Sequence, residues 1–151
     1  MNKLFLCLFV ILLAACSKES DPKTLFDQGD YESALIQWQL LAEEGHPEAQ
    51  NYLGIHYYLG LGVKRNLKTS RQWFEKAAIN GFADAQYNFG SMYENGESVK
   101  QDFVTAYMWF YLALKNGNKN AERRMQTLTE EHKLFPNQVK RAVDLAKEYS
   151  N

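Results

Sequence analysis

His46, His56 and His132 are the side chains of this sequence whose charge changes most readily near neutral pH, and they are natural metal ligands. Zinc sites and metalloprotease helices place such residues at fixed short spacings, as in H-E-x-x-H. The three histidines have no such partners, so no metal site is expected. A G-x-S-x-G nucleophile elbow is missing as well. The stretch Gly60 to Arg65, GLGVKR, opens like a phosphate-binding G-x-G-x-x-G loop but ends on arginine. The carboxylate pairs Glu43-Glu44 and Glu130-Glu131 are sequence neighbours, not an opposed acid and base across a cleft. No catalytic residue and no cofactor is assigned. Lys64-Arg65, Arg123-Arg124 and Lys140-Arg141 are scattered pairs, and the net charge of the whole chain is −1, so nucleic acid is not an expected partner.

One cysteine does carry chemistry. Asn2-Lys3 is a basic start, Leu4 to Leu13 is a ten-residue apolar run, and Ala14, Ala15 and Cys16 follow. A helix needs about 20 apolar residues to span a bilayer, and this run is too short. The order of charge, apolar stretch and small residues is that of a secretory leader. Leu13-Ala14-Ala15-Cys16 resembles the lipobox of bacterial lipoproteins. The resemblance implies removal of residues 1–15, lipidation of Cys16 and a polar tether over 16–22. Several acyl chains anchor stably where one does not. Ser17 after the cysteine implies the outer membrane, on its periplasmic face. Cys7 and Lys3 leave with the leader, taking the net charge from −1 to −2. The mature domain then folds without a disulfide.

The elements that position everything else repeat. Gly45, Gly81 and Gly117 are 36 residues apart, as are Ala49, Ala85 and Ala121, and Leu53, Phe89 and Met125. Tyr57 pairs with Tyr93, Val63 with Val99, and Trp73 with Trp109 at the same interval. A fixed period of this length signals stacked supersecondary units. Ala49, Leu53 and Tyr57 lie at i, i+4 and i+8, one face of a first helix. Gly60 and Gly96 suit left-handed caps behind it. Asn66 and Asp102 are N-cap types for a second helix, which carries Trp73-Phe74 or Trp109-Phe110. Gly54 and Gly90 inside the first helix each give up about 1 kcal/mol of propensity against alanine. Close approach of an aromatic from the second helix explains them, with Gly90 expected near Trp109. His56 aligns with Met92 and Leu128, so its slot faces the core, and a hydrogen-bonded, half-buried ring is expected there.

These residues resemble the Sel-one-like repeat family, an α-solenoid related to tetratricopeptide repeats. Residues 49–81 match its pattern with Ser70 in an alanine position. Residues 85–117 match with Ser98 in a glycine position, which requires a positive φ or a reshaped turn. The expected architecture is all-α. A partial repeat occupies 23–45, with its first helix shortened to about Pro22–Gln28. Full repeats follow at 46–81 and 82–117. A terminal half repeat and a capping helix occupy 118–151, the cap carrying an apolar stripe of Val139, Ala142, Val143 and Ala146. The resemblance implies a protein-binding scaffold, here anchored in the cell envelope. Two alternatives stand beside it: an envelope enzyme acting on peptidoglycan or β-lactams, as reported for cysteine-rich secreted relatives, or a structural spacer.

Within each first helix, three slots vary between repeats. They hold Asn51, Tyr87 and Arg123; Ile55, Ser91 and Thr127; and Tyr58, Glu94 and Glu130. Steps of four and three residues put the slots on one side of each helix, away from Ala49, Leu53 and Tyr57. Side by side, the first helices form the concave wall of a solenoid. These nine residues are the expected partner surface, with Tyr58 and Tyr87 as anchors.

The lipobox generates a direct test. Palmitate labelling should mark the wild-type chain, and Cys16→Ser should abolish both the label and cleavage at that site. A wild-type protein that is unlabelled and freely soluble refutes the anchor.

Overall fold

The computed structural model describes residues 20–132 and 134–149, so the leader and Cys16 lie outside the described residues. Eight α-helices follow one another: α1 (Pro22–Asp27), α2 (Tyr31–Glu43), α3 (Pro47–Leu59), α4 (Leu67–Ile79), α5 (Ala83–Asn95), α6 (Phe103–Lys115), α7 (Asn120–Glu130) and α8 (Pro136–Ala146). A short 3₁₀ turn, Lys147–Tyr149, closes the described chain. The described residues contain no strand. Consecutive helices pack as antiparallel pairs, α3 on α4 and α5 on α6, and each pair leans on the next.

The ends of the helices follow from local chemistry. The side chains of Asn66 and Asp102 accept hydrogen bonds from the second and third backbone amides of α4 and α6. Gly60 and Gly96 end α3 and α5 with φ of 76° and 72°. Asp21 caps α1, which starts at Pro22, inside the stretch read as tether. Ser98 takes the positive φ of 60°. Its counterpart Gly62 has no such latitude, because a Cβ there would lie 2.8 Å from the carbonyl oxygen of Tyr31.

Within each pair, glycine meets an aromatic ring. A Cβ on Gly54 would lie 2.4 Å from the Phe74 ring, and one on Gly90 would lie 3.0 Å from Phe110 and 3.2 Å from the Ala106 carbonyl oxygen. The partner of Gly90 is therefore Phe110. Trp109, the expected neighbour, points instead to Phe89 and Tyr149. Adjacent residues of a helix face directions about 100° apart, and the sequence could not rank the two rings. Ser70, in an alanine position, donates its hydroxyl to the Gly54 carbonyl at 2.8 Å.

Between pairs, a buried glutamine makes the joint. Gln50 Nε2 donates to the Ala42 carbonyl at 3.3 Å, and Gln50 Oε1 accepts from Asn80 Nδ2 at 3.4 Å. One period later, Gln86 donates to Ala78 at 3.0 Å and accepts from Asn116 at 2.9 Å. At the far end, α8 packs chiefly against α6. Ala142 and Ala146 are buried there, with Leu145 beside them, while Val143 is half-buried.

His56 is fully buried, not half-buried. Its Nδ1–H donates to the Leu61 carbonyl at 2.7 Å, and the Phe26 and Tyr31 rings stand edge-on at 5.4 and 6.3 Å. Its Nε2 has no partner among the described residues. Burial holds its pKa below the ordinary 6.5. The unfolded chain therefore takes up a proton at a higher pH than the folded one, and stability falls as pH drops below about 6.5. His56→Met, the residue type found at position 92, should flatten the loss of urea stability between about pH 7 and pH 5. Parallel pH profiles for the two proteins exclude the role.

The glycine contacts predict an order. Gly54→Ala should lower stability by about 1–3 kcal/mol, because the ring must move. Gly90→Ala should be close to neutral, since the propensity gained by alanine, about 1 kcal/mol, offsets a milder contact. Urea midpoints that fall equally, or in the reverse order, contradict the packing described.

Candidate functional site

Side chains stitch α3 to α5 and to the loop that follows α5, which carries Glu97. Asn88 Nδ2 donates to Asn51 Oδ1 at 3.0 Å. The Tyr58 hydroxyl donates to both carboxylate oxygens of Glu97, at 2.9 and 3.1 Å. Arg65 Nε donates to the Tyr58 carbonyl at 2.9 Å, and its guanidinium lies 5.8 Å from the centre of the Tyr58 ring. Burial, followed by the Glu97 carboxylate, pushes the Tyr58 phenol above its usual value of 10, so it remains a donor at neutral pH. Between α5 and α7 the corresponding link is an ion pair of Glu94 with Arg124.

Two clefts open on this wall. One, of about 330 Å³, is lined by Ile55, Tyr58, Leu59, Phe74, Asn88, Ser91, Met92 and Glu97. The other, of about 350 Å³, is lined by Glu48, Asn51, Tyr52, Ile55, Phe82, Asp84, Tyr87, Asn88, Asn118 and Asn120. Ile55 and Asn88 belong to both. The first cleft has an apolar floor and the second a polar rim. A larger, shallow groove of about 940 Å³ lies between the Val99–Val104 stretch and the chain around Leu134, where His132 stacks on Phe103 at 4.2 Å.

Of the nine residues assigned to the partner surface, five line the two clefts: Asn51, Ile55, Tyr58, Tyr87 and Ser91. The face is not uniformly open, however. Asn51 is 4% exposed and Glu94 is 5% exposed, each held by its neighbour across a helix gap. Tyr58 and Tyr87 are half-buried, and Tyr87 lies 5.4 Å from the Phe110 ring. Ser91 and Thr127 turn their hydroxyls back onto the carbonyls four residues before them. Arg123 and Glu130 are exposed on α7 and, with Thr127, line neither cleft.

Sequence reading missed the residues that do the stitching, Asn88, Glu97 and Arg124. Asn88 and Arg124 are 36 residues apart, on the slot next to the one selected. Their period was visible, but their direction across the gap was not. Ser20 and Lys23 stand at S-x-x-K spacing, the pattern of a serine nucleophile beside a lysine. Ser20 lies before the cap of α1 and Lys23 is engaged by Asp27 at 2.8 Å, so the two do not share a helical face. Among the described residues, no group of three His, Cys, Asp or Glu side chains could hold a metal ion. No described helix is long and apolar enough to cross a membrane.

Comparison with known proteins agrees with this architecture. The Sel1 repeat family model matches residues 47–82 and 83–118, one residue later than the boundaries read from the sequence. No curated protein matches the chain. A protective antigen of uropathogenic Escherichia coli that displays an SLR fold superposes with a TM-score of 0.76 at 29% identity, over 85% of this chain and 28% of the antigen. A Sel1 repeat protein from Oxalobacter formigenes superposes with a TM-score of 0.69 at 32% identity, over 86% of this chain and 55% of that one. The chain thus spans about a quarter and about half the length of these two structures. Sel1 repeat proteins are in general protein-interaction modules. The chain carries two tandem Sel1 repeats, residues 47–82 and 83–118, at the centre of an SLR-type α-solenoid.

Proposed function

We propose that the chain is a lipid-anchored scaffold of the bacterial cell envelope, fixed through Cys16 to the periplasmic face of the outer membrane and holding a protein or peptide partner on the wall of α3 and α5. The observation that carries the binding role is the pair of adjoining clefts with Ile55 and Asn88 as their common wall. A segment laid across both can bury an aliphatic or aromatic side chain over Phe74 and Met92. Its backbone and polar groups then meet the amides and carboxylates of the second cleft. The hydrogen bonds that cross the helix gap hold this wall in one shape, which lowers the ordering cost of binding. Support for the anchor is the lipobox and the short polar stretch between Ser17 and the Asp21 cap. This reading assigns no catalytic step and no cofactor to the chain.

A photo-crosslinking residue at Ser91, expressed in native cells, should give a discrete adduct; the same residue at the exposed position Gln72 on α4 should not. Ser91→Arg should weaken partner capture at least about tenfold by filling the first cleft while leaving core contacts in place. Tyr58→Ala with Tyr87→Ala should abolish capture too, with a modest fall in melting because both rings also pack. Equal adducts from positions 91 and 72, or capture indifferent to Ser91→Arg, overturn the assignment.

A further inference from the structure

The 36-residue period allows each second helix to be compared with its siblings at fixed register. Ile36 and Leu40 of α2 correspond to Gln72 and Lys76 of α4, and to Met108 and Leu112 of α6. In α6 this pair is the seat of another helix: Met108 is 4% exposed and Leu112 is 2% exposed, both packed with Ala142 and Ala146 of α8. In α4 the pair is polar and exposed to solvent. In α2 the pair is apolar like the covered one, yet Ile36 is 64% exposed and Leu40 is 61% exposed. Lying four residues apart, the two form one patch on the helix surface.

We infer that the Ile36–Leu40 face of α2 is a docking site for an amphipathic helix of a partner protein, seated as α8 sits on α6. The charges around the patch select the partner. Glu32 lies one turn before Ile36, and Glu43 and Glu44 lie one turn after Leu40, all exposed. The incoming helix therefore carries a stripe of small aliphatic residues flanked by Lys or Arg. The helix α8 has this pattern, with Ala142 and Ala146 on its buried side and Lys140, Arg141 and Lys147 exposed. The same carboxylates disfavour a second copy of α2, since pairing would set glutamates against glutamates, and they disfavour an anionic membrane surface. The α2 seat is thinner than that on α6, because Glu32 and Gln37 stand where α6 has Val104 and Trp109, so binding is weak and reversible.

A labelled synthetic peptide with the α8 sequence, Pro136 to Tyr149, is the probe. Titrated with the purified protein, its fluorescence anisotropy should rise and saturate. Ile36→Gln with Leu40→Lys adopts the residue types that α4 already carries in solvent, so fold and melting should be unchanged. Affinity for the peptide should fall about tenfold or more. A peptide with Lys140→Glu, Arg141→Glu and Lys147→Glu should bind more weakly than the parent peptide. No saturable signal, or equal affinity for the double variant, overturns the proposal; the second result would place the peptide elsewhere, for example on the α6 seat. Equal binding of the charge-reversed peptide overturns the basic partner. Concentration-dependent dimers abolished by the double variant would make the occupant a second copy, which also overturns it.

Discussion

The two joints that link the first three helix pairs each turn on one buried glutamine. Gln50 ties the last carbonyls of α2 to the end of α4, and Gln86 does the same for α4 and α6. The Ala42 and Ala78 carbonyls at these helix ends already accept the amides of Gly45 and Gly81; the glutamine amide adds a second donor to each, and its oxygen accepts a hydrogen bond from the asparagine at the next helix end. Both glutamines are buried, so an unmet amide would be costly and the register between pairs has little freedom. The glycine–aromatic contacts inside each pair and the clefts across the pairs are built on that register. At position 122 the slot holds an exposed glutamate, and the ladder stops there. The chain then turns back, with α8 placed on α6.

Much of this was legible in the sequence because it lies in types and periods. Asn66, Asp102, Gly60 and Gly96 mark helix ends through backbone chemistry that depends only on near neighbours, and all four do what their types suggest. The all-α solenoid follows from the 36-residue spacing. What was not legible is direction. Trp109 and Phe110 are both large and apolar, and only the packed helix decides which one covers Gly90. The fully buried His56 was foreseen as a core slot, but its aromatic neighbours Phe26 and Tyr31 come from the shortened N-terminal repeat, which the period describes least well.

The variable slots show the same boundary. Slots that differ between repeats suggest freedom from packing, and for Arg123 and Glu130 exposure agrees with that. For Asn51 and Glu94 it does not. Both are taken up in a bond across a helix gap, an amide pair for Asn51 and an ion pair for Glu94, and in the slot of Glu94 the preceding repeat makes a different bond, from Tyr58 to Glu97. A repeat protein can thus hold its backbone spacing constant while changing the chemistry that spans it. Variation on such a face is therefore not by itself the mark of a binding surface, because cohesion between neighbours is met with different side chains as well.

Cohesion also shapes what the face can recognise. Tyr58 is aimed by Glu97 on one side and by Arg65 on the other, so its ring is a fixed wall of the first cleft. Ile55 stands between the clefts with no polar atom to satisfy, and a ligand that covers it gains apolar burial without breaking a bond of the scaffold. Displacing Asn88 from Asn51 would instead leave a buried amide oxygen without a donor. Ligand binding is therefore cheapest when it leaves the stitching intact and uses the space beside it. The fold is common to many activities; under the binding role proposed above, the placement of one aliphatic side chain between two bonded pairs is what selects among partners.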